Sequence, residues 1–170
     1  MIEIRDARAD DIPQVLAIYN HVMATSTAIY REEPATLEAH LDWFRARTAQ
    51  GFPVLVAVDA AGIAGYASFG DFRQWPGYRF TVEHSVHVRA DCRGQGVGGA
   101  LMQPLIARAT ALGKHVMIAG VDAANADSLR FHERLGFVEV AHFREVGFKF
   151  GRWLDLKFLQ KMLGPDAVPR

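Results

Sequence analysis

The stretch Cys92-Arg-Gly-Gln-Gly-Val-Gly-Gly-Ala-Leu101 crowds four glycines into the six positions from 94 to 99. It stands between an alternating segment, residues 78–88, and an apolar run carrying Leu101, Leu105, Ile106 and Leu112. Glycines gathered between a strand and a helix let the main chain come close to a ligand, and the N–H groups at a helix start favour anions. The junction therefore demands a sheet that feeds a helix through a turn lined by backbone.

The remaining pattern builds around that junction. Residues 2–7 alternate as a short strand. Asp10 or Asp11 is placed to cap a helix with Pro13 in its first turn, and Ile12, Val15, Leu16, Tyr19, Val22 and Met23 recur at helical spacing. The irregular link 24–35 is positioned to lie over a site, and a second helix is predicted from Thr36 to near Gly51. Residues 53–58 and 63–70 flank Asp59-Ala-Ala-Gly62 as a β-hairpin, and in 78–88 Phe80, Val82, Val86 and Val88 share one face. Pro104 predicts a kink or a later helix start, because an interior proline costs about 3 kcal/mol. A buried strand at 114–121, a short helix at 125–136 closed by Gly136, and strands at 137–150 and 152–162 follow. The order implies a mixed α/β domain over 1–163, a single, mostly antiparallel sheet flanked by helices, with 164–170 as a loose tail.

Bulk properties narrow the partners. The 170 residues carry no formal net charge and are half hydrophobic, which argues against nucleic acid or a membrane surface held by bulk electrostatics. One cysteine, Cys92, excludes an internal disulfide and a cysteine metal cluster, and no metal site is expected. No apolar run is long enough to cross a bilayer and no secretion signal opens the chain, so a cytoplasmic protein is expected.

Three readings of the glycine stretch compete. Gly94-x-Gly96-x-x-Gly99 matches the dinucleotide fingerprint, with Asp122 as the later acid. That fingerprint wants glycine directly off the strand, whereas Arg89-Ala-Asp-Cys-Arg93 intervenes. A nucleotidase phosphate loop needs a lysine and a hydroxyl that Gly99-Ala100-Leu101 lacks. The third reading is Arg93-x-x-Gly96-x-Gly98, with successive backbone N–H groups and a permanent charge facing a pyrophosphate; its bland alternative is a bare structural turn.

In this form the stretch resembles the pyrophosphate loop of the GCN5-related N-acetyltransferases, Gln/Arg-x-x-Gly-x-Gly/Ala. The resemblance implies acetyl-CoA as donor, bound along Ser85, Val86, His87 and Val88, at Arg93, Gly94, Gln95, Gly96, Val97, Gly98 and Gly99, and by Asn125 and Ser128. His132 stands where that family usually carries the tyrosine that protonates the departing thiolate. Thr81–Val88 (TVEHSVHV) and Gly147–Leu156 (GFKFGRWLDL) narrow the likeness to the phosphinothricin acetyltransferase group, nearest to its methionine sulfoximine and methionine sulfone branch. Phe72 and His87 depart from the tryptophan and tyrosine of that branch. The group is commonly homodimeric, so a homodimer is implied, and detoxification or resistance is the implied role.

Acetyl transfer to an α-amine needs a base, because that amine is mostly ammonium at neutral pH. Glu83, on the strand parity opposite to Phe80 and Val82, is the candidate. Its bland alternative is a solvated or ion-paired strand carboxylate. Arg73 and Arg79 suit the acceptor's carboxylate. Tyr30, Phe72, Trp75 and Tyr78 are candidates for the substrate wall, with Thr81 and His84 on the Glu83 strand; as aromatics the first four equally suit a core. Cys92 has no evident base and reads as an ordinary small residue. The alternatives are another amine acceptor on the same fold, or an acyl-CoA sensor without turnover.

Overall fold

The computed structural model describes residues 2–164, so most of the expected tail lies outside the described residues. Seven strands form one sheet: β1 (Glu3–Asp6), β2 (Val54–Asp59), β3 (Gly62–Asp71), β4 (Thr81–Val88), β5 (Val116–Asp122), β6 (Val138–Lys149) and β7 (Arg152–Met162). Their spatial order is β1-β2-β3-β4-β5-β7-β6, and every neighbouring pair is antiparallel except β4 and β5. Helices α1 (Ile12–Thr25), α2 (Leu37–Ala49), α3 (Val97–Ala111) and α4 (Ala126–Arg134) flank it. The α/β class read from the sequence is the one observed.

The alternation of β2 sorts the helices onto two faces. Leu55 and Ala57 are buried with Val97, Leu101, Met102 and Leu105 of α3, whereas Val56 is buried with Val15, Ile18 and Val22 of α1. Successive strand side chains point to opposite faces, so α1 and α3 cover opposite sides of the sheet. Burying each such aliphatic side chain stabilises the fold by roughly 1.5–3 kcal/mol.

Three local expectations are corrected. Helix α3 starts at Val97 and runs through Pro104 without interruption. The one backbone bond that the proline removes is offset by Leu101, Met102 and Leu105, all fully buried around it. Asp11 makes no side-chain cap on α1. Its carboxylate instead takes a bidentate pair from Arg5 at 2.7 and 2.9 Å and the Arg8 N–H at 2.7 Å. Finally, β4 begins at Thr81 rather than 78, because Pro76–Tyr78 forms a 3-10 turn first.

The last two strands join through Phe150 and Gly151, with φ of +52° and +72°. Two left-handed residues match a primed hairpin turn, which follows the natural twist of the strands. Phe150 is an unusual occupant, since a bulky side chain disfavours positive φ.

Candidate active site

Strands β4 and β5 start side by side and then part. Their pairing covers only Thr81, Val82 and Glu83 against Val116, Met117 and Ile118, although β4 continues to Val88 and β5 to Asp122. Beyond Glu83 the β4 edge facing β5 has no ladder partner. Unpaired strand groups at an accessible edge are ready donors and acceptors for an extended ligand. A cavity of about 1220 Å³ fills this wedge, walled by Glu83–Val88, by Ala119–Asp122 and by the glycine loop.

The loop is built locally. Gly94 and Gly96 have φ of +74° and +83°, a conformation that costs L side chains energy, and Gly96 directly precedes α3. A Cβ at Gly94, Gly96 or Gly99 would meet nothing within 4 Å, so open space lies over the first turn of α3. The N–H groups of that turn have no intrahelical acceptor and carry the positive end of the helix dipole. Arg93 and Val97, Gly98 and Gly99 line the same space. Gln95 is the exception, because its side chain turns back to donate to the Asp91 carbonyl at 2.8 Å and braces the turn. Asn125 caps α4 by accepting from the Ser128 N–H at 3.1 Å, and both residues stand on the cavity wall.

Glu83 sits where the two strands separate. A Cβ on Gly120 would lie 3.2 Å from its Oε1, so the glycine in β5 leaves room for the carboxylate. Burial pushes the Glu83 carboxyl above its ordinary range, and the guanidinium of Arg73 partly opposes that. A raised carboxyl on the wall of a cavity suits proton abstraction near neutral pH.

His132 and His84 form a buried pair behind the strand. His132 Nδ1 lies 2.7 Å from the Ser128 carbonyl oxygen, and the two Nε2 atoms are 3.2 Å apart. A carbonyl only accepts, so His132 carries its proton on Nδ1 and its Nε2 accepts from His84. The Nδ1 of His84 is then left without a partner. Burial lowers both imidazoles, His84 to about 3, so the pair is neutral at physiological pH.

Tyr19, His40, Trp43, Tyr66 and His87 form an aromatic group on the cavity wall, with ring centroids 4.9 Å apart for Tyr19–His40 and 5.5 Å for Tyr66–His87. Burial, Arg93 and His40 push His87 down to about 4. Tyr19, His40, Trp43 and Tyr66 were not foreseen as site residues. Their apolar spacing marks core, and only the tertiary fold turns that face into a wall. The irregular link foreseen to lie over a site does so, through Ser26, Ala28, Ile29 and Arg31.

The expected acceptor residues scatter. His84 is on the wall, but Phe72, Trp75, Tyr78, Arg79 and Thr81 stand outside it. Phe72 packs on Tyr78 and Phe158 at 6.0 and 5.9 Å, Trp75 is 75 % exposed, and Arg79 lies over the Phe80 ring at 4.5 Å. Arg73 stacks on Phe72 at 4.1 Å and reaches the site only through its field on Glu83. Tyr30 rests on Gly147 behind the link. Cys92 is buried, its sulfur accepting from Arg89 at 3.2 Å, and burial pushes the thiol up so that it stays protonated. Among the described residues no cluster of three or more His, Cys, Asp or Glu is arranged to hold a metal, and no helix is long and apolar enough to cross a membrane.

Comparison with known proteins follows the same outline. The profile of the acetyltransferase (GNAT) family matches residues 15–137. The chain is 53 % identical over 163 residues to an L-methionine sulfoximine/L-methionine sulfone acetyltransferase of Pseudomonas paraeruginosa, covering 95 % of each chain. It is 41 % identical over 173 residues to a phosphinothricin N-acetyltransferase of Alcaligenes faecalis, covering 98 % of this chain and 86 % of that one. Among solved structures it is similar to yncA of Salmonella typhimurium, determined with its cofactor acetyl-CoA. That match has 44 % identity and a TM-score of 0.96, covering 99 % of this chain and 98 % of the other.

Proposed function

This chain belongs to the acetyltransferase (GNAT) family, and from that membership we propose that it moves an acetyl group from acetyl-CoA to a small amino-acid analogue. The acceptor is an α-amine of the methionine sulfoximine, methionine sulfone or phosphinothricin type, which the names of the similar enzymes support. One observation carries the reading: a half-buried carboxylate, Glu83, stands where β4 and β5 part, at the head of a wedge that ends on an open glycine cradle.

The cradle fits the donor. Unpartnered N–H groups at the start of α3, with Arg93 beside them, suit a pyrophosphate, and the unpaired edge of β4 suits an extended amide-bearing arm. When bound, acetyl-CoA supplies an acyl thioester. Glu83 takes a proton from the acceptor ammonium, directly or through one water, and frees the nitrogen lone pair for attack. A β4 N–H in the Ser85–Val88 segment donates to the acyl oxygen as negative charge gathers there. The new bond is C–N, the broken bond is C–S, and the thiolate leaves to be protonated. The expectation that His132 supplies that proton is at odds with its bonds, because both of its ring nitrogens are engaged. In our reading His132 and His84 order the strand that carries Glu83.

The outward face of β6 and β7 exposes Val146, Phe148, Phe150 and Trp153. An apolar surface of this kind suits a second copy of the chain, so the homodimer belongs to the proposal. With it go a cytoplasmic site of action and a detoxifying or resistance role. The test follows thiol release from acetyl-CoA with methionine sulfoximine, methionine sulfone, phosphinothricin, ordinary amino acids and a peptide N-terminus, with light scattering on the same preparation. Release with the first three, from particles of twice the chain mass, is expected. Release with the peptide alone, or with none, overturns the acceptor assignment, and single-chain mass overturns the dimer.

A further inference from the structure

Lys149 is 1 % exposed, and among the described residues no carboxylate forms an ion pair with it, although Glu32 acts on it from a distance. Its ammonium donates to three main-chain carbonyls, Met23 at 2.5 Å, Ser26 at 2.9 Å and Ile29 at 2.6 Å. A buried charge is costly unless its donors are all used, and here all three are. The three acceptors have a common place. Met23 lies in the last turn of α1, Ser26 is the residue that ends it, and Ile29 belongs to the link beyond. No glycine closes α1, since Ser26 is extended with φ −148°. The lysine does the work that a left-handed glycine usually does at a helix C-terminus, and it adds a positive charge at the negative end of the dipole.

The link so held is one wall of the cavity, contributing Ser26, Ala28, Ile29 and Arg31. The same strand grips it a second time, because Tyr30 packs so closely on Gly147 that a Cβ there would run into its ring. From the other side, the Thr27 hydroxyl donates to Asp122 at the end of β5. The course of residues 26–31 is thus fixed by strands much later in the chain, β6 through Lys149 and Gly147 and β5 through Asp122.

We propose that Lys149 is a positioning residue for the acceptor: it holds the 26–31 link against the cavity that Glu83 also lines and leaves the glycine cradle untouched. The inference rests on the reading of this cavity as the acceptor site. A wall displaced by about 1 Å can cost on the order of a hundredfold in rate.

The test uses the full chain with Lys149→Met. Initial rates with methionine sulfone should show the acceptor KM raised on the order of tenfold or more, with the acetyl-CoA KM changed by less than about twofold. Hydrogen exchange needs no acceptor and so reads the inference even if the substrate assignment fails. The peptide spanning residues 22–31 should exchange on the order of ten times faster, and the α3 peptide at its usual rate. Equal rises in both KM values, or unchanged exchange in 22–31, overturn the proposal. Should Lys149→Met fail to fold, Gly147→Ala pushes the same link through Tyr30 and should give the same split between the two KM values. An unaltered acceptor KM in that variant overturns it equally.

Discussion

The two walls of the cavity are made in different ways. The wall we read as the donor's is one short stretch, Arg93, Gly94 and Gly96–Gly99, which brings main-chain N–H groups at the start of α3 to the cavity. The wall we read as the acceptor's is assembled from α1, the 26–31 link, α2 and β3, and a lysine on β6 bonds to the main chain of that link. Backbone recognition needs only glycines in order, so it can be written in one short stretch. Side-chain recognition needs contacts between distant segments, and those exist only once the sheet has formed.

Glu83 stands between the two walls, and its removal should separate them most sharply. Glu83→Gln should lower kcat/KM about 10²–10⁴-fold while leaving acetyl-CoA affinity nearly unchanged, as expected for loss of a general base. Because the carboxyl is raised by burial, kcat/KM in the native protein should climb with pH through that raised value, and the variant should lack this limb. A variant with near-native turnover would remove Glu83 from the chemistry, and the walls would then face each other across nothing reactive.

A smaller effect lies behind β4. His84 falls to about 3 in the folded protein and His87 to about 4, against about 6.5 when unfolded. Between those values the unfolded chain binds more protons, so stability is full above about pH 6.5 and drops as pH falls toward 4. Each such imidazole contributes at most about 1.4 kcal/mol per pH unit. Urea midpoints at pH 7, 6 and 5 should decline in the native protein and decline less steeply in His84→Leu. Identical slopes in the two proteins would show that His84 does not titrate with unfolding.

These contrasts also mark what could be read before folding. The glycine stretch and the strand before it were legible because each depends on residues close in sequence, whereas the role expected of Glu83 came mainly with the family resemblance. So were the sheet and its helices, from their periodicities. Pro104 misled, because a propensity of about 3 kcal/mol was weighed without the three buried side chains around it. Arg79 and Trp75 have the charge and size for an acceptor site near Glu83, but they flank the 3-10 turn at Pro76–Tyr78 and stand outside the cavity. His40 and Trp43 were hidden in a helix whose inner face looks like ordinary core. Lys149 belongs to a recognised pattern, yet nothing in its neighbours tells that it will cap a helix from the start of the chain.

Calorimetric titration of acetyl-CoA into the native chain and into Gly99→Val tests the central claim, that main-chain donors at the start of α3 hold the donor. Gly99 has ordinary helical φ and open space above it, so valine should leave the fold intact and fill the cradle. The account predicts one saturable site per native chain and affinity lower by roughly ten- to hundredfold in the variant. No heat of binding in the native chain, or equal affinity in both proteins, would contradict it.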